Sequence, residues 1–259
     1  MERNTTTRVL LIAIIAGVAA LGATACNDAP ESTGPAASNA RVVREAHDGA
    51  AFTRNFQLER CTFVDHGTNP YFILMPGHRL VLENEDEEES TQLVITVLTD
   101  TKLIAGISTR VVEERETEDG ELTEVSRNYF AICSENNSVF YFGEDVDFYE
   151  DGEIVNHDGS WLHGQRDARA GLIMPGLPLL GARYFQEVAP GVALDRAEIV
   201  DLQASLRTPL RRFTNVLVTE ESTPLEPAVT ELKFYAPGIG LIRDADLLLV
   251  QAGFAVEDP

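Results

Sequence analysis

From Tyr71 to Val250 the chain reads as one short extended segment after another, each ended by a turn signal, and nothing helical of ten residues or more intervenes. Tyr71-Phe72-Ile73-Leu74 runs into Pro76-Gly77, and His78 to Glu83 alternates behind it. Gln92 to Leu98 and Ser108 to Glu114 are dense in β-branched residues. Asp119-Gly120 stands between two long polar-apolar runs, a strong hairpin signal, and Leu122 to Cys133 returns to Asn136-Asn137. Ser138 to Tyr149 is the most aromatic segment and turns at Asp151-Gly152 into Glu153 to Val155. Strands resume at Arg183 to Val188, Arg196 to Leu206, Phe213 to Glu221, Val229 to Tyr235 and Gly240 to Val250. About ten strands, without βαβ alternation or a long repeat, predict an all-β domain: a single antiparallel meander forming a curved half-barrel or a sandwich.

Between these two groups of strands, His157 to Pro178 has a different texture, with four glycines, two prolines and the only tryptophan, Trp161. A segment of this length without regular period is uncommon in a compact domain and is often functional. Within it, Gly164 to Pro178 is the expected lid of a ligand cavity. Ahead of the strands, Asn27 to Asn39 is made of Pro, Ser, Ala, Gly and other small or polar residues and cannot repay its ordering entropy. Residues 26–57 are therefore read as a flexible tether, with a short helix in Arg41 to Phe56 as one option, and residues 58–259 as the β domain. Glu85 to Glu89 (EDEEE) is expected in a solvated turn.

The first residues give an address. Val9 to Cys26 is an apolar run preceded by Arg3 and Arg8, too short for a comfortable membrane span of about 20 residues. It reads as an export signal over residues 1–25. Ala23-Thr24-Ala25-Cys26 resembles the lipobox of bacterial lipoproteins, with Ala23 where that family prefers Leu. The resemblance implies acylation of Cys26 and attachment to the lipid bilayer of the cell envelope, facing the periplasm or the exterior; ordinary cleavage after Ala25 is the alternative. Removing 25 of the 259 residues leaves 234, with 18 basic against 41 acidic side chains. Such a chain can bury a full core without a metal or disulfide lattice.

A formal net charge of −22 argues against nucleic acid, whose phosphates need a Lys/Arg patch, and equally against docking on anionic lipid through the protein surface. Only Lys102 and Lys233 are lysines, as a salty or acidic habitat, or an arginine-rich codon usage, would favour. Apart from Cys26 the cysteines are Cys61 and Cys133. In an oxidising compartment two remaining thiols in one domain are expected to pair, the alternative being two separately buried thiols.

Two stretches near the ends of the domain look familiar. Tyr71-Phe72-Ile73-Leu74-Met75-Pro76-Gly77-His78-Arg79-Leu80 resembles the YFPLKPGTRWVY opening of uncharacterised exported bacterial lipoproteins, and Phe234-Tyr235-Ala236-Pro237-Gly238-Ile239-Gly240-Leu241-Ile242 resembles their YYAPGVGLV ending. The resemblance spans Tyr71 to Val250 and implies a meandering antiparallel sheet akin in shape to periplasmic lipoprotein carriers. It carries turn and strand chemistry and transfers no catalytic residue or ligand. His78 and Leu80 depart from the commoner polar and aromatic residues.

GxSxG, HExxH, P-loop and GxGxxG signatures are all missing from the sequence. The sharpest cluster is His157 and His163, flanking Trp161, with Asp145 and Asp147 one hairpin away: candidates for acid-base catalysis or a divalent cation. Glu144, Asp145 and Asp147, followed by Glu150-Asp151-Gly152-Glu153, offer oxygen ligands for Ca²⁺, though the glycine is misplaced for an EF-hand. No other cofactor is expected. Asp65-His66 is a candidate half-dyad, and Glu187 and Asp195 are lone acids beside apolar strands. Trp161, Phe142 and Tyr184, with their aromatic neighbours, are core residues or, on a concave face, the lining of an apolar ligand cavity.

These features favour a non-enzymatic envelope lipoprotein that binds an apolar ligand or an envelope partner. The alternative is an extracytoplasmic hydrolase using Asp, Glu and His chemistry. The carrier expectation requires a cavity under residues 157–178, and the hydrolase expectation requires His157, His163, Asp145 and Asp147 to converge.

Overall fold

Eighteen strands, most of them ended by a tight turn, form the computed structural model, which describes residues 51–84 and 90–254. Residues 1–50, on which the export-signal, Cys26 and tether expectations fall, lie outside the described residues, as do 85–89 and 255–259. After a 3-10 turn at Leu58–Arg60 come β1 (Phe63–Val64), β2 (Gly67–Asn69), β3 (Phe72–Leu74) and β4 (His78–Glu83). The long strands β5 (Thr91–Ile104), β6 (Ile107–Glu118), β7 (Glu121–Cys133) and β8 (Val139–Glu150) follow. Then come β9 (Glu153–Asn156), β10 (Trp161–Leu162), β11 (Arg169–Met174), β12 (Arg183–Phe185) and β13 (Glu187–Val188). The chain ends with β14 (Arg196–Arg207), β15 (Arg212–Ser222), β16 (Thr230–Ala236), β17 (Gly240–Asp244) and β18 (Leu247–Phe254).

The hairpins form where the residues favour them. Asp119 and Gly120 both take positive φ, as do Asp151 and Gly152, the geometry that matches the twist of the flanking strands. Ala105-Gly106 makes the same turn between β5 and β6.

The strands pair antiparallel, sixteen of them in one large sheet and β2 with β3 in a separate hairpin. Strands β4 to β8 lie side by side and continue to β11 and β13; β18 joins β4 and leads through β17, β16, β15 and β14 to β12. The two ends of this path, β12 and β13, are consecutive in the chain and separated only by Gln186. Residues 183–188 therefore pair with β14 through Tyr184↔Ala197 and with β11 through Ala170↔Glu187. The sheet curves into a nearly closed barrel. Gly171 sits against the backbone of Phe185 and Gln186 with no room for a Cβ, so the approach of β11 to this strand requires glycine there.

The expected long functional loop at His157–Pro178 is corrected by β10 and β11. Ala170, Gly171, Ile173 and Met174 are buried, so β11 is covered on both faces and carries no alternation to read. Residues 51–56 hold no helix, and packing starts before Leu58: Thr53 bridges Tyr184, and Phe52 meets Phe185 edge-on.

Inside the barrel, Leu74, Phe130, Ile132, Tyr141, Trp161, Met174, Tyr184 and Leu217 share one core. The β2–β3 hairpin sits across this end: Phe72 packs edge-on against Phe130, the Asn69 side chain donates to Asn137 O and Pro175 O, and Gly238 N donates to Pro70 O. At the other end the β14–β15 turn reaches β18, where Leu210 N donates to Leu249 O, and Phe213, Val216 and Val218 join Leu82, Leu93 and Leu249. The outer face of β7 and β8 has its own cover, in which Phe56 and Phe63 pack edge-on to Phe140 and Phe63 also meets Phe142.

A disulfide between Cys61 and Cys133 fastens this cover to β7. Its loop spans a separation of 72 residues, and by chain entropy its loss costs about 4 kcal/mol. Urea unfolding of Cys61→Ser/Cys133→Ser is expected to show that loss with an otherwise native far-UV spectrum; an unchanged midpoint would mean the outer layer adds nothing to the barrel.

Candidate functional site

Alternation along β6, β7 and β8 places acids where a barrel ordinarily keeps its oil. On β6, Val112, Glu114 and Glu116 share a face. On β7, Glu124, Ser126 and Asn128 continue the face of Phe130, and Glu124 is 6% exposed. A register shift around Phe142-Gly143 puts Tyr141 and then Glu144 on the inward side of β8. Asn128 accepts the Tyr141 hydroxyl at 2.6 Å, while Glu144 Oε2 and Trp161 Nε1 are buried without hydrogen-bond partners. Glu116 Oε2, Glu124 Oε2, Tyr184 OH and Gln186 Oε1 are in the same condition.

Lys233 on β16 is the cation of this interior. Its ammonium lies 3.1 Å from Asp244 on β17 and 3.8 Å from Glu221 on β15. Glu221 also accepts from Gln186 Nε2 at 3.1 Å and from the Thr219 hydroxyl at 3.0 Å. On the far side, Glu187 accepts the Asp195 amide. Gln186, between β12 and β13 at the barrel's closure, thus ties the seam to the Lys233 cluster.

Beside Lys233 opens a cavity of about 70 Å³. Phe72, Leu80, Ile95, Val112, Phe130 and Leu241 supply much of its wall; His78, Glu114, Lys233 and Asp244 supply its polar groups. It takes one lining residue, Ile173, from the segment 157–178, so the cavity lies under the β2–β3 hairpin and not under the expected lid.

Burial governs the titration of these groups. It lifts Glu114 to about 7, with Lys233 pulling back and Asp244 pushing on. Burial lifts Glu116 to about 8, with Glu118 and Asp244 adding to it, and lifts Glu124 to about 9, with Glu116, opposite it on β6, and Glu144 adding to it. Glu144 rises to about 8 by burial, against the nearby Tyr141 and Trp161 groups. Asp195 rises to about 7, and Glu187 and Glu221 also move up, again chiefly by burial. Burial works against the Lys233 charge, but Asp244 and Glu221 outweigh it and hold the ammonium well above its usual range.

The residues singled out from the sequence fall on different surfaces. Glu144 points inward, while Asp145 and Asp147, one and three positions on, face outward. There Asp145 accepts from Lys102 and from the Tyr129 hydroxyl, both at 2.6 Å, and Asp147 accepts from Arg127 at 2.9 Å. These three acids do not converge because a strand sends alternate side chains to opposite faces. The exposed His157 meets the half-buried Asp147 at 2.8 Å. His163 takes another environment: its Nδ1 accepts the Ala170 amide at 3.0 Å, its ring lies edge-on to Phe142, and burial lowers its pKa. Trp161 and Tyr184 belong to the interior core, whereas Phe142 faces the outer layer with Phe63. Asp65 receives His66 on one oxygen, Ser108 on the other and Arg110 beside them, so the serine hydroxyl is not on the imidazole as a nucleophilic relay requires. Among the described residues the one cluster with metal-ligand spacing is Cys61, Cys133 and Glu135, and its sulfurs are in the disulfide.

Glu187 and Asp195, flagged as lone acids, are indeed buried at 2% and 4% exposure and interact. Glu114, Glu116, Glu124, Glu221, Lys233 and Asp244 were not legible as a site; the usable signal was one of only two lysines standing in a strand between apolar neighbours, Leu232 and Phe234. Comparison with protein-family models, curated proteins and solved structures finds no match to this chain.

Two outcomes follow from this interior. The unfolded chain releases its glutamate protons near 4.5, whereas Glu116, Glu124 and Glu144 hold theirs to about 8 to 9 in the fold. Their stabilisation is complete below the unfolded value and is lost as pH rises through the folded one. Asp65 and Asp145, held low by their hydrogen bonds and cations against the effect of burial, lose theirs only in acid. Urea midpoints are expected to peak at about pH 5 and fall toward pH 9, with Glu124→Gln flattening the slope by about one proton; midpoints that rise toward pH 9 would contradict this. Lys233→Met leaves Asp244 and Glu221 without their cation and is expected to cost about 3 to 5 kcal/mol in the same assay at pH 7.

Proposed function

We propose that this chain is an extracytoplasmic envelope lipoprotein, held to the bilayer through acylated Cys26, whose barrel is a non-enzymatic binding module for a small amphipathic ligand. The cavity beside Lys233 carries this reading. Its apolar walls suit a short hydrocarbon or aromatic group, and Glu114, Lys233 and Asp244 offer donors and acceptors to a polar group at one side. A volume of about 70 Å³ admits about five water-sized groups, so it suits the end of a ligand rather than a whole acyl chain. Most of the interior is filled by the protein's own side chains, which weighs against a bulk lipid carrier. The hydrolase alternative retains only the His157–Asp147 pair, since His163 is engaged by the Ala170 amide.

Native mass spectrometry of the full chain purified from its own host is expected to retain a small organic mass. Ile95→Phe, which fills the cavity from β5, is expected to lose that mass at a stability cost of about 1 to 3 kcal/mol. A bare wild-type chain, or equal retention by Ile95→Phe, would overturn the reading.

A further inference from the structure

The turn between β11 and β12 exposes Leu177, Leu179 and Leu180 at 78, 62 and 68%. Elsewhere among the described residues the large exposed apolar side chains stand singly or as the less exposed pair Ile154 and Val155. This turn is held in shape from both sides. Gly176 N donates to Ser138 Oγ and packs on the Asn136 backbone, Gly181 N donates to Ile199 O, and Ala182 N donates to Leu179 O. Three leucines fixed in water on a pinned turn cost solvation without gaining packing, the usual mark of a contact surface.

The turn runs straight into β12, and there the chain outside the description arrives. Thr53 N donates to Arg183 O, Phe185 N donates to Thr53 O, and Phe52 packs on Phe185. Around these rings gather three arginines: Arg54 lies 5.0 Å from the Phe185 ring centroid, and Arg196 and Arg183 lie 4.6 and 5.8 Å from that of Phe52. Arg183 is paired with Glu198, but Arg54 and Arg196 have no carboxylate partner among the described residues. In a chain of formal charge −22, this is a local cationic corner bearing aromatic rings beside an apolar turn.

We infer that Leu177, Leu179 and Leu180 insert into a phospholipid surface, with Arg54 and Arg196 meeting lipid phosphates and Phe52 at the level of the headgroups. The leucines supply affinity for the acyl boundary and the arginines bidentate donors for phosphate. A zwitterionic bilayer suits this surface best, because the overall negative charge repels an anionic one. The inference rests on the lipoprotein reading in one respect: the described fold begins at Ala51, beside this corner, so a bilayer holding Cys26 would have the turn within reach. The barrel would then stand on the membrane by two contacts, one covalent and one from its own surface.

The test uses the full chain on phosphatidylcholine vesicles. Leu179→Trp adds a tryptophan to the buried Trp161, and Leu103→Trp, at the exposed end of β5, serves as the control. With brominated phosphatidylcholine, the added Leu179→Trp emission is expected to fall to about half or less, as for a group inserted at the acyl boundary, while Leu103→Trp matches unbrominated vesicles. Arg54→Gln/Arg196→Gln is expected to reduce the quenching. In an unacylated Cys26→Ala chain, Leu177→Ser/Leu179→Ser is expected to weaken vesicle partitioning about tenfold or more, from two leucines no longer transferred out of water. Equal quenching at positions 179 and 103 overturns the inference, as does a dimer in light scattering that Leu177→Ser/Leu179→Ser dissolves, which would assign the turn to a second copy. The acyl mass on Cys26 is read separately. An acylated chain without quenching sinks the turn and spares the anchor; quenching in an unacylated chain does the reverse.

Discussion

Lys233 sets the terms on which this barrel can close. Placing one ammonium between Asp244 and Glu221 neutralises part of an interior that also holds Glu114, Glu116, Glu124, Glu144, Glu187 and Asp195. Taking ions out of water costs several kcal/mol each, more than one cation can offset for all of these carboxyls. The remainder are kept as acids: with Glu124 raised to about 9, ionising it at pH 7 would cost about 3 kcal/mol, so the proton stays. A protonated carboxyl is also a donor, which suits an interior in which Tyr141 already gives its proton to Asn128 and needs a donor in return. Bound protons are therefore part of what stabilises the fold.

The seam and the charge cluster are one problem. Gln186 interrupts the strand that closes the sheet, and the interruption lets Arg183 to Phe185 pair on one edge and Glu187 to Val188 on the other. The same residue turns its amide to Glu221, next to Lys233. Changes at the seam are thus felt at the polar side of the cavity, a short distance along β15 and β16. The layer from Phe52 to Val64 meets the seam strand as well: Thr53 bonds to Arg183 and Phe185, while Phe56 and Phe63 pack on Phe140 of β8.

How much of this could be read from the sequence depends on which period carried the message. Strands and turns were legible: Asp119-Gly120 and Asp151-Gly152 specify their turns by their own backbone preferences, and the antiparallel all-β architecture follows from them. The pairing of Cys61 with Cys133 was legible from their being the two cysteines left over. Closure was not, because β11 is buried on both faces and β12 and β13 are too short to show alternation. The acidic interior was hidden for another reason. In Glu113-Glu114-Arg115-Glu116 charged residues fall on both faces, so period two leaves no apolar stripe, and only the partner strands decide which charges are buried. Glu144, Asp145 and Asp147 gave the opposite error: neighbours in sequence that looked like one ligand set are divided by the sheet itself.

The same division bears on what net charge means here. Counting every carboxyl as ionised gives −22, yet several of those carboxyls sit inside the barrel with raised pKa values and carry protons at neutral pH. The charge that solvent and partners feel is less negative than the formula and unevenly spread. Arg54, Arg183 and Arg196 cluster on the aromatic corner formed by Phe52 and Phe185. Screening cuts the reach of exposed charge to about 8 to 10 Å, so a surface approaching that corner responds mainly to those arginines, to Glu198 paired with Arg183, and to the leucines beside them. Total charge therefore has little authority over a contact the size of one turn.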